Sequence, residues 1–159
     1  MPHLEAIYLG PAKRGPMGSV DAVDVTALGL AGDRYASGVG TLSKKVEEGD
    51  AGRHVTLIQA EAIEAAMADF GEDFSGGRHR RNLVSRGLAS INDLIYARLR
   101  IGRDVVLRVD RHCHPCGHLS RLTSTASTRS LKMRGGLRLT VLEPGAIRVG
   151  DSIEVLPRR

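Results

Sequence analysis

Tryptophan is absent from this chain, and tyrosine and phenylalanine together make up only 3% of it. Stacking of bases on aromatic rings underlies most sequence-tolerant single-strand binding, so that class of function is disfavoured. Duplex binding is not touched by this count, but nucleic acid is not the expected partner. Cysteine is equally scarce: Cys113 and Cys116 are the whole complement. Two thiols cannot build a disulfide scaffold, and a reduced, cytoplasmic setting is the expectation. No apolar run reaches the roughly 18–20 residues of a membrane-spanning helix, so no membrane association is expected. The opening Met1-Pro2-His3-Leu4-Glu5 has no basic stretch followed by an apolar one, and no secretory signal is read there. Pro/Ser-rich linkers and breaks in composition are missing too. Residues 1–159 therefore read as a single domain.

What is present fits a globular protein. Hydrophobic residues at 42% and charged residues at 26% of 159 allow a core that needs no staples. Lys and Arg number 23 against 18 Asp and Glu, a formal charge of +5. That balance favours anionic partners without choosing among nucleic acid, phosphorylated cofactors and acidic proteins. The 19 glycines lie between short apolar runs and predict many turns and short strands.

Strands are expected at residues 4–9 and 20–25, separated by the breaker-rich Gly10-Pro11-Ala12-Lys13-Arg14-Gly15-Pro16. Residues 53–58 read as a strand with Val55 and Leu57 on one face. The period then changes. Ile63, Ala66, Met67 and Phe70 fall at helical spacing, with Glu61 and Glu64 near the start and Gly71 as a stop. This predicts a helix over Ala60–Phe70 with Met67 and Phe70 in the core. Further strands are expected at 82–85, 98–101, 104–109, 137–142 and 152–156. Residues 100–107 and 148–155 resemble each other: each has a β-branched residue, a glycine turn and a new alternating strand. Either they turn corners in a small barrel, or they are two ordinary hairpin-like turns. The expected fold is mainly β with minor α, rich in β-barrel structure.

Arg111-His112-Cys113-His114-Pro115-Cys116-Gly117-His118 gathers both cysteines and three of the six histidines. Three readings stay open. Cys113 and Cys116 have zinc-ligand spacing, with His112, His114 or His118 as nitrogen donors, but no second CxxC or HxxxH supplies the other pair. Alternatively the cationic surroundings raise the thiolate fraction, and Cys113 resolves what Cys116 accepts. Finally, both are ordinary loop cysteines.

Arg78-His79-Arg80-Arg81 runs directly into Asn82-Leu83-Val84. A bare charge run is usually a solvated loop. An anion site is the functional reading, because arginine forks grip phosphate and a following strand holds them rigid. Gly29-Leu30-Ala31-Gly32-Asp33-Arg34 is neither a Walker loop nor GxGxxG; alone it is a tight turn whose charged pair makes local bonds. His54 and His79 are expected to be surface or core residues rather than catalytic ones.

Taken in order, these pieces resemble the MOSC domain, the family named after the C-terminal part of molybdenum cofactor sulfurase. The resemblance is carried by Gly29–Arg34, by Arg80-Arg81-Asn82-Leu83-Val84 as an R-x-N element, by Cys113-His114-Pro115-Cys116, and by Gly145-Ala146-Ile147-Arg148-Val149-Gly150-Asp151. It implies a fold of the pyruvate-kinase barrel type and a functional cysteine at Cys116. It puts Arg80 and Asn82 on the pterin side of a molybdopterin site, with Arg34 and Arg81 as further cofactor-binding candidates. Arg81 stands where relatives with R-P-N have proline. Two activities are implied. In one, Cys116 accepts sulfane sulfur as a persulfide from a cysteine desulfurase and passes it on to a molybdenum enzyme. In the other, Cys116 ligates the molybdenum of a bound cofactor, and the protein reduces N-hydroxylated compounds with a redox partner. Pyridoxal phosphate belongs to the desulfurase side and is not expected on this chain itself. A non-enzymatic module binding zinc or nucleic acid through Cys113, Cys116 and the basic loop is the remaining reading.

Overall fold

The computed structural model describes residues 1–11, 15–37, 54–71, 73–113 and 134–157. Two sheets account for most of it. The larger is built from β1 (His3–Leu9), β2 (Gly18–Val20), β5 (Val55–Gln59), β6 (Leu83–Arg86), β7 (Arg98–Ile101), β8 (Val105–His112), β9 (Leu137–Glu143) and β11 (Ile153–Leu156). Its spatial order is β11-β7-β8-β9-β5-β6-β1-β2. The smaller sheet has the order β10-β3-β4, with β3 at Ala22–Thr26, β4 at Gly29–Leu30 and β10 at Gly145–Arg148.

Strand alternation sets the two faces. Leu137, Leu139 and Val141 of β9 join Leu4, Ile7, Val55, Leu57, Leu83, Leu99 and Leu107 in the main core. Val25, Leu30 and Ile147 bring the small sheet onto the same cluster. On the opposite face of β5 and β6, Ile58 and Val84 pack with Ala60, Ala66 and Phe74 beneath α2 (Ala60–Phe70). That helix ends at Gly71, which is left-handed at φ 66 and donates its N–H to the Met67 carbonyl. It also links β5 to β6, which pair in parallel. A parallel pair needs such a crossover, and the glycine-rich, β-type pattern around it gave no hint of one.

Most expected elements are found within a residue or two of their anticipated ends. Residues 20–25 are an exception. The run divides at Asp21: Val20 pairs with Ile7 in the large sheet, while Ala22 pairs with Arg148 in the small one. Phe70 also departs from expectation. It is 40% exposed, and the guanidinium of Arg134 lies 5.9 Å from its ring centre, so it serves as a surface cation–π partner and not as core. Met67 is partly buried against the second cluster, as expected. Glu61 and Glu64 do more than face the helix dipole. Glu61 accepts from the Gly87 N–H, and Glu64 pairs with Arg86, which also binds Glu5 at 2.6 Å.

The two similar segments have different jobs. Gly102 lies in the antiparallel connection from β7 to β8, whereas Gly150 carries the chain from β10 in the small sheet to β11 in the large one. They then meet, because β11 pairs with β7 and the Gly102 N–H donates to the Ser152 carbonyl at 2.9 Å. Among the described residues the expected barrel is not closed by strand pairing. β11 and β2 end the large sheet, and an isolated bridge, His3 to Ser152, joins β1 to the stretch before β11. Among the described residues no helix is long and apolar enough to cross a membrane.

Gly136 precedes β9 at φ 100, and a Cβ there would collide with the Leu57 carbonyl of the neighbouring strand. Gly150 has a similar φ of 96 but open space around it. Gly150→Ala is expected to cost only the left-handed penalty of about 1–2 kcal/mol. Gly136→Ala is expected to cost clearly more, because the ladder must also move. Urea denaturation of the two variants checks this; equal losses would contradict the contact.

Candidate functional site

The R-x-N element sits where the chain turns from a 3-10 segment (Ser75–Gly77) into β6. Gly76 and Gly77 have positive φ, and Arg80 follows in the left-handed region at φ 61. A non-glycine residue there is strained by about 1 kcal/mol or more, so the surroundings must hold it. They do. The Arg80 N–H donates to the Gly77 carbonyl at 2.9 Å, and its Nη1 donates to the Gly15 carbonyl at 2.5 Å.

Arg34 reaches the same loop from another part of the chain. It opens α1 (Arg34–Ser37), its N–H donates to the Gly10 carbonyl, and its Nη1 lies 3.1 Å from the Met17 sulfur. The neighbouring Asp33 accepts from the Gly10 N–H at 2.8 Å and lies 3.6 Å from Arg34. The charged pair of the glycine-rich turn therefore grips the end of β1, and the Asp33 N–H also closes its own turn on the Leu30 carbonyl at 3.0 Å. Arg34 and Arg80, both more than nine-tenths buried, reach the same short stretch, Arg34 at Met17 and Arg80 at Gly15.

The other two candidates are engaged inside the fold. Asn82 is fully buried; its Oδ1 accepts from the Thr56 N–H and hydroxyl, and its Nδ2 donates to the Tyr8 carbonyl. It ties β5 and β1 to the start of β6. Arg81 donates from Nε to the Gly135 carbonyl at 2.7 Å, from Nη1 to the His79 carbonyl and from Nη2 to the Cys113 carbonyl at 3.4 Å. The Cys113 N–H donates to the Gly136 carbonyl at 2.8 Å. Arg81 thus holds both flanks of the stretch between Cys113 and Gly135.

Cys113 is a free thiol, 2% exposed. Attack by or on its sulfur from solvent requires its cover to move. Cys116 lies outside the described residues, as do His114, Pro115 and His118. Among the described residues no group of three or more His, Cys, Asp and Glu can hold a metal ion.

Both ambiguous histidines are core residues. His54 is fully buried, and its Nδ1 accepts from the Val141 N–H at 3.0 Å. The His79 Nδ1 accepts from the Arg81 N–H at 3.0 Å, and its ring packs edge-on to Tyr8. Burial, with a smaller contribution from the Arg81 charge, pushes its pKa down to about 3. Thr56, Tyr8 and Met17 complete this region. Nothing in the amino-acid pattern marks them, since each looks like an ordinary strand or loop residue until its partner is known.

A mainly-β domain with buried arginines gathered before one strand is the class these features define. The MOSC domain profile matches residues 32–154, and the chain belongs to the MOSC domain family. No curated protein matches it. The YuaD protein from Bacillus subtilis has a similar structure, with TM-score 0.81 and 17% identity over 100% of this chain and 98% of that one. YiiM from Geobacillus stearothermophilus follows the same fold at TM-score 0.73 and 16% identity, covering 99% of this chain and 76% of its own. YiiM from Escherichia coli does so at 0.69 and 19%, covering 100% and 71%.

His79 is neutral when folded and titrates near 6.5 when unfolded. The native state therefore binds fewer protons in this window. Its contribution to stability is complete above pH 6.5 and is lost as pH falls toward about 3. His79→Gln is expected to flatten the urea-midpoint profile across that range. An unchanged slope would show that the ring is not what titrates.

Proposed function

We propose that this MOSC domain works on sulfur for the molybdenum cofactor, with Cys116 accepting sulfane sulfur and Arg34 and Arg80 holding the phosphate of the cofactor. The observation that carries the reading is the convergence of Arg34 and Arg80 on residues 15–17. The donor set fits the group: guanidinium forks suit phosphate, and Asp33 is the carboxylate paired with Arg34. When bound, the cofactor supplies a molybdenum centre that accepts soft sulfur ligands. Asn82 and Arg81 are positioning residues in this reading. One fixes the start of the strand that Arg80 precedes, and the other fixes the flanks of the stretch carrying Cys116. Cys116 follows three positions after Cys113, whose carbonyl Arg81 holds.

The sulfur step balances without an added oxidant. The Cys116 thiolate attacks the terminal sulfur of a desulfurase persulfide. The donor S–S bond breaks, the donor cysteine leaves as a thiolate, and Cys116 becomes the persulfide. A nucleophile on the acceptor then takes the outer sulfur and Cys116 leaves as a thiolate. Discharge by Cys113 instead releases hydrosulfide and leaves a disulfide, and it requires Cys113 to emerge from its buried position. A cytoplasmic setting keeps such thiols reduced. The pyruvate-kinase barrel type belongs to the same reading, with the His3–Ser152 bridge as the seam at which the large sheet approaches closure.

Treatment with a cysteine desulfurase, cysteine and pyridoxal phosphate followed by peptide mass spectrometry tests the assignment. The expected result is one added sulfur atom on Cys116 in the parent and in Cys113→Ser, and none in Cys116→Ser. Arg34→Ala and Arg80→Ala are expected to weaken cofactor binding by at least about tenfold. Sulfur uptake by Cys116→Ser at the parental level would overturn the carrier role. Molybdenum and pterin in the purified protein without sulfur uptake would move the reading to the reductase.

A further inference from the structure

Between Arg111 and Leu142 the chain contains no Asp or Glu, but it contains Arg111, Arg121, Arg129, Lys132, Arg134 and Arg138. The fold places two of these face to face. Arg111 of β8 and Arg138 of β9 are directly opposed across the antiparallel ladder. Opposed residues have Cβ atoms about 4.5–5.5 Å apart, and like charges there destabilise the sheet. Neither arginine forms an ion pair among the described residues, and the Arg138 Nη1 is enclosed without a hydrogen-bond partner. Asp110, the acid nearest in sequence to Arg111, is bound by Arg108 Nε at 2.6 Å and by the Thr140 hydroxyl at 2.5 Å. On the other side Arg138 is opposed by Thr56, whose hydroxyl is engaged with Asn82. A third guanidinium, that of Arg81, stands at the same end of the sheet against the Cys113 and Gly135 carbonyls.

A partly buried guanidinium that has lost water without gaining an acceptor costs free energy that an anion can offset. We infer that Arg111 and Arg138 form a binding site for a tetrahedral oxyanion, separate from the Arg34–Arg80 pair. Two parallel forks suit a group offering several equivalent oxygens. A phosphoryl group and the sulfonate end of a sulfane-sulfur donor share that chemistry. The location, two residues before Cys113 on β8 and two after Gly136 on β9, puts the anion beside the chain that leads to Cys116. The functional meaning of the site rests on the sulfur-transfer reading; its existence does not.

Calorimetric titration of the full chain with inorganic phosphate, and separately with thiosulfate, at ionic strength held constant with sodium chloride tests the inference. Saturable binding of either anion is expected, weakened at least tenfold in Arg111→Gln and in Arg138→Gln and unchanged in Arg103→Gln, an exposed arginine at the opposite end of β8. Tighter phosphate binding identifies a phosphoryl ligand, and tighter thiosulfate binding a sulfane donor; both support the site. Arg111 is exposed, so Arg111→Gln stays informative if Arg138→Gln misfolds. Binding no stronger than chloride, or binding lost in Arg80→Ala but unchanged in Arg111→Gln, overturns the site. The persulfide assignment of Cys116 is read by mass and survives either result.

Discussion

The side chain of Asn82 is the joint on which the rest of the molecule hangs. Its carbonyl accepts from Thr56 and its amide donates to Tyr8, so one buried residue cross-links β5, β6 and β1. Its backbone adds two bonds, receiving Tyr8 N–H at 2.7 Å and donating to the Thr56 hydroxyl at 2.9 Å. An amide is suited to this because it both donates and accepts without charge. An unpaired polar group at zero exposure would cost one to a few kcal/mol, so the network holds only when complete. The residues just before it, Arg80 and Arg81, inherit a fixed starting point.

From that joint the arginines diverge. Arg80 turns through a left-handed backbone toward Gly15, while Arg81 runs to Gly135 and Cys113. Guanidinium groups do not shed their proton, so burying them requires acceptors. Backbone carbonyls of Gly15, His79, Gly135 and Cys113 are among their acceptors. His79 stays neutral between Tyr8 and Arg81, chiefly because burial disfavours its charged form and secondarily because of the Arg81 charge. The outcome is a cluster of guanidinium groups held in place by main-chain oxygens. A domain that handles anionic groups benefits from such a cluster.

The regular elements were largely legible in the amino-acid pattern. The helix over Ala60–Phe70 and its stop at Gly71 follow from apolar spacing and from the one residue that adopts a left-handed cap freely. Strands such as Arg98–Ile101 follow from alternation. Phe70 was misread because periodicity assigns a face but not what lies opposite it; near the end of the helix that face meets Arg134, not core. The split at Asp21 was illegible for a similar reason. Alternation continues through it, and only the partners change.

Residue identity is enough to name the groups chemically able to act: two cysteines, the Arg-Arg-Asn element and the Asp33–Arg34 pair. Side-chain chemistry is a property of the residue and survives any fold. Tertiary structure alone decided which of them share a place. Arg34 and Arg80 reach the same stretch at residues 15–17, Asn82 and Arg81 are turned to holding strands and flanks, and Arg111 faces Arg138. These relations depend on the order and register of strands distant in the chain. Local pattern does not encode them, because the free energy that fixes register comes from burying the common core.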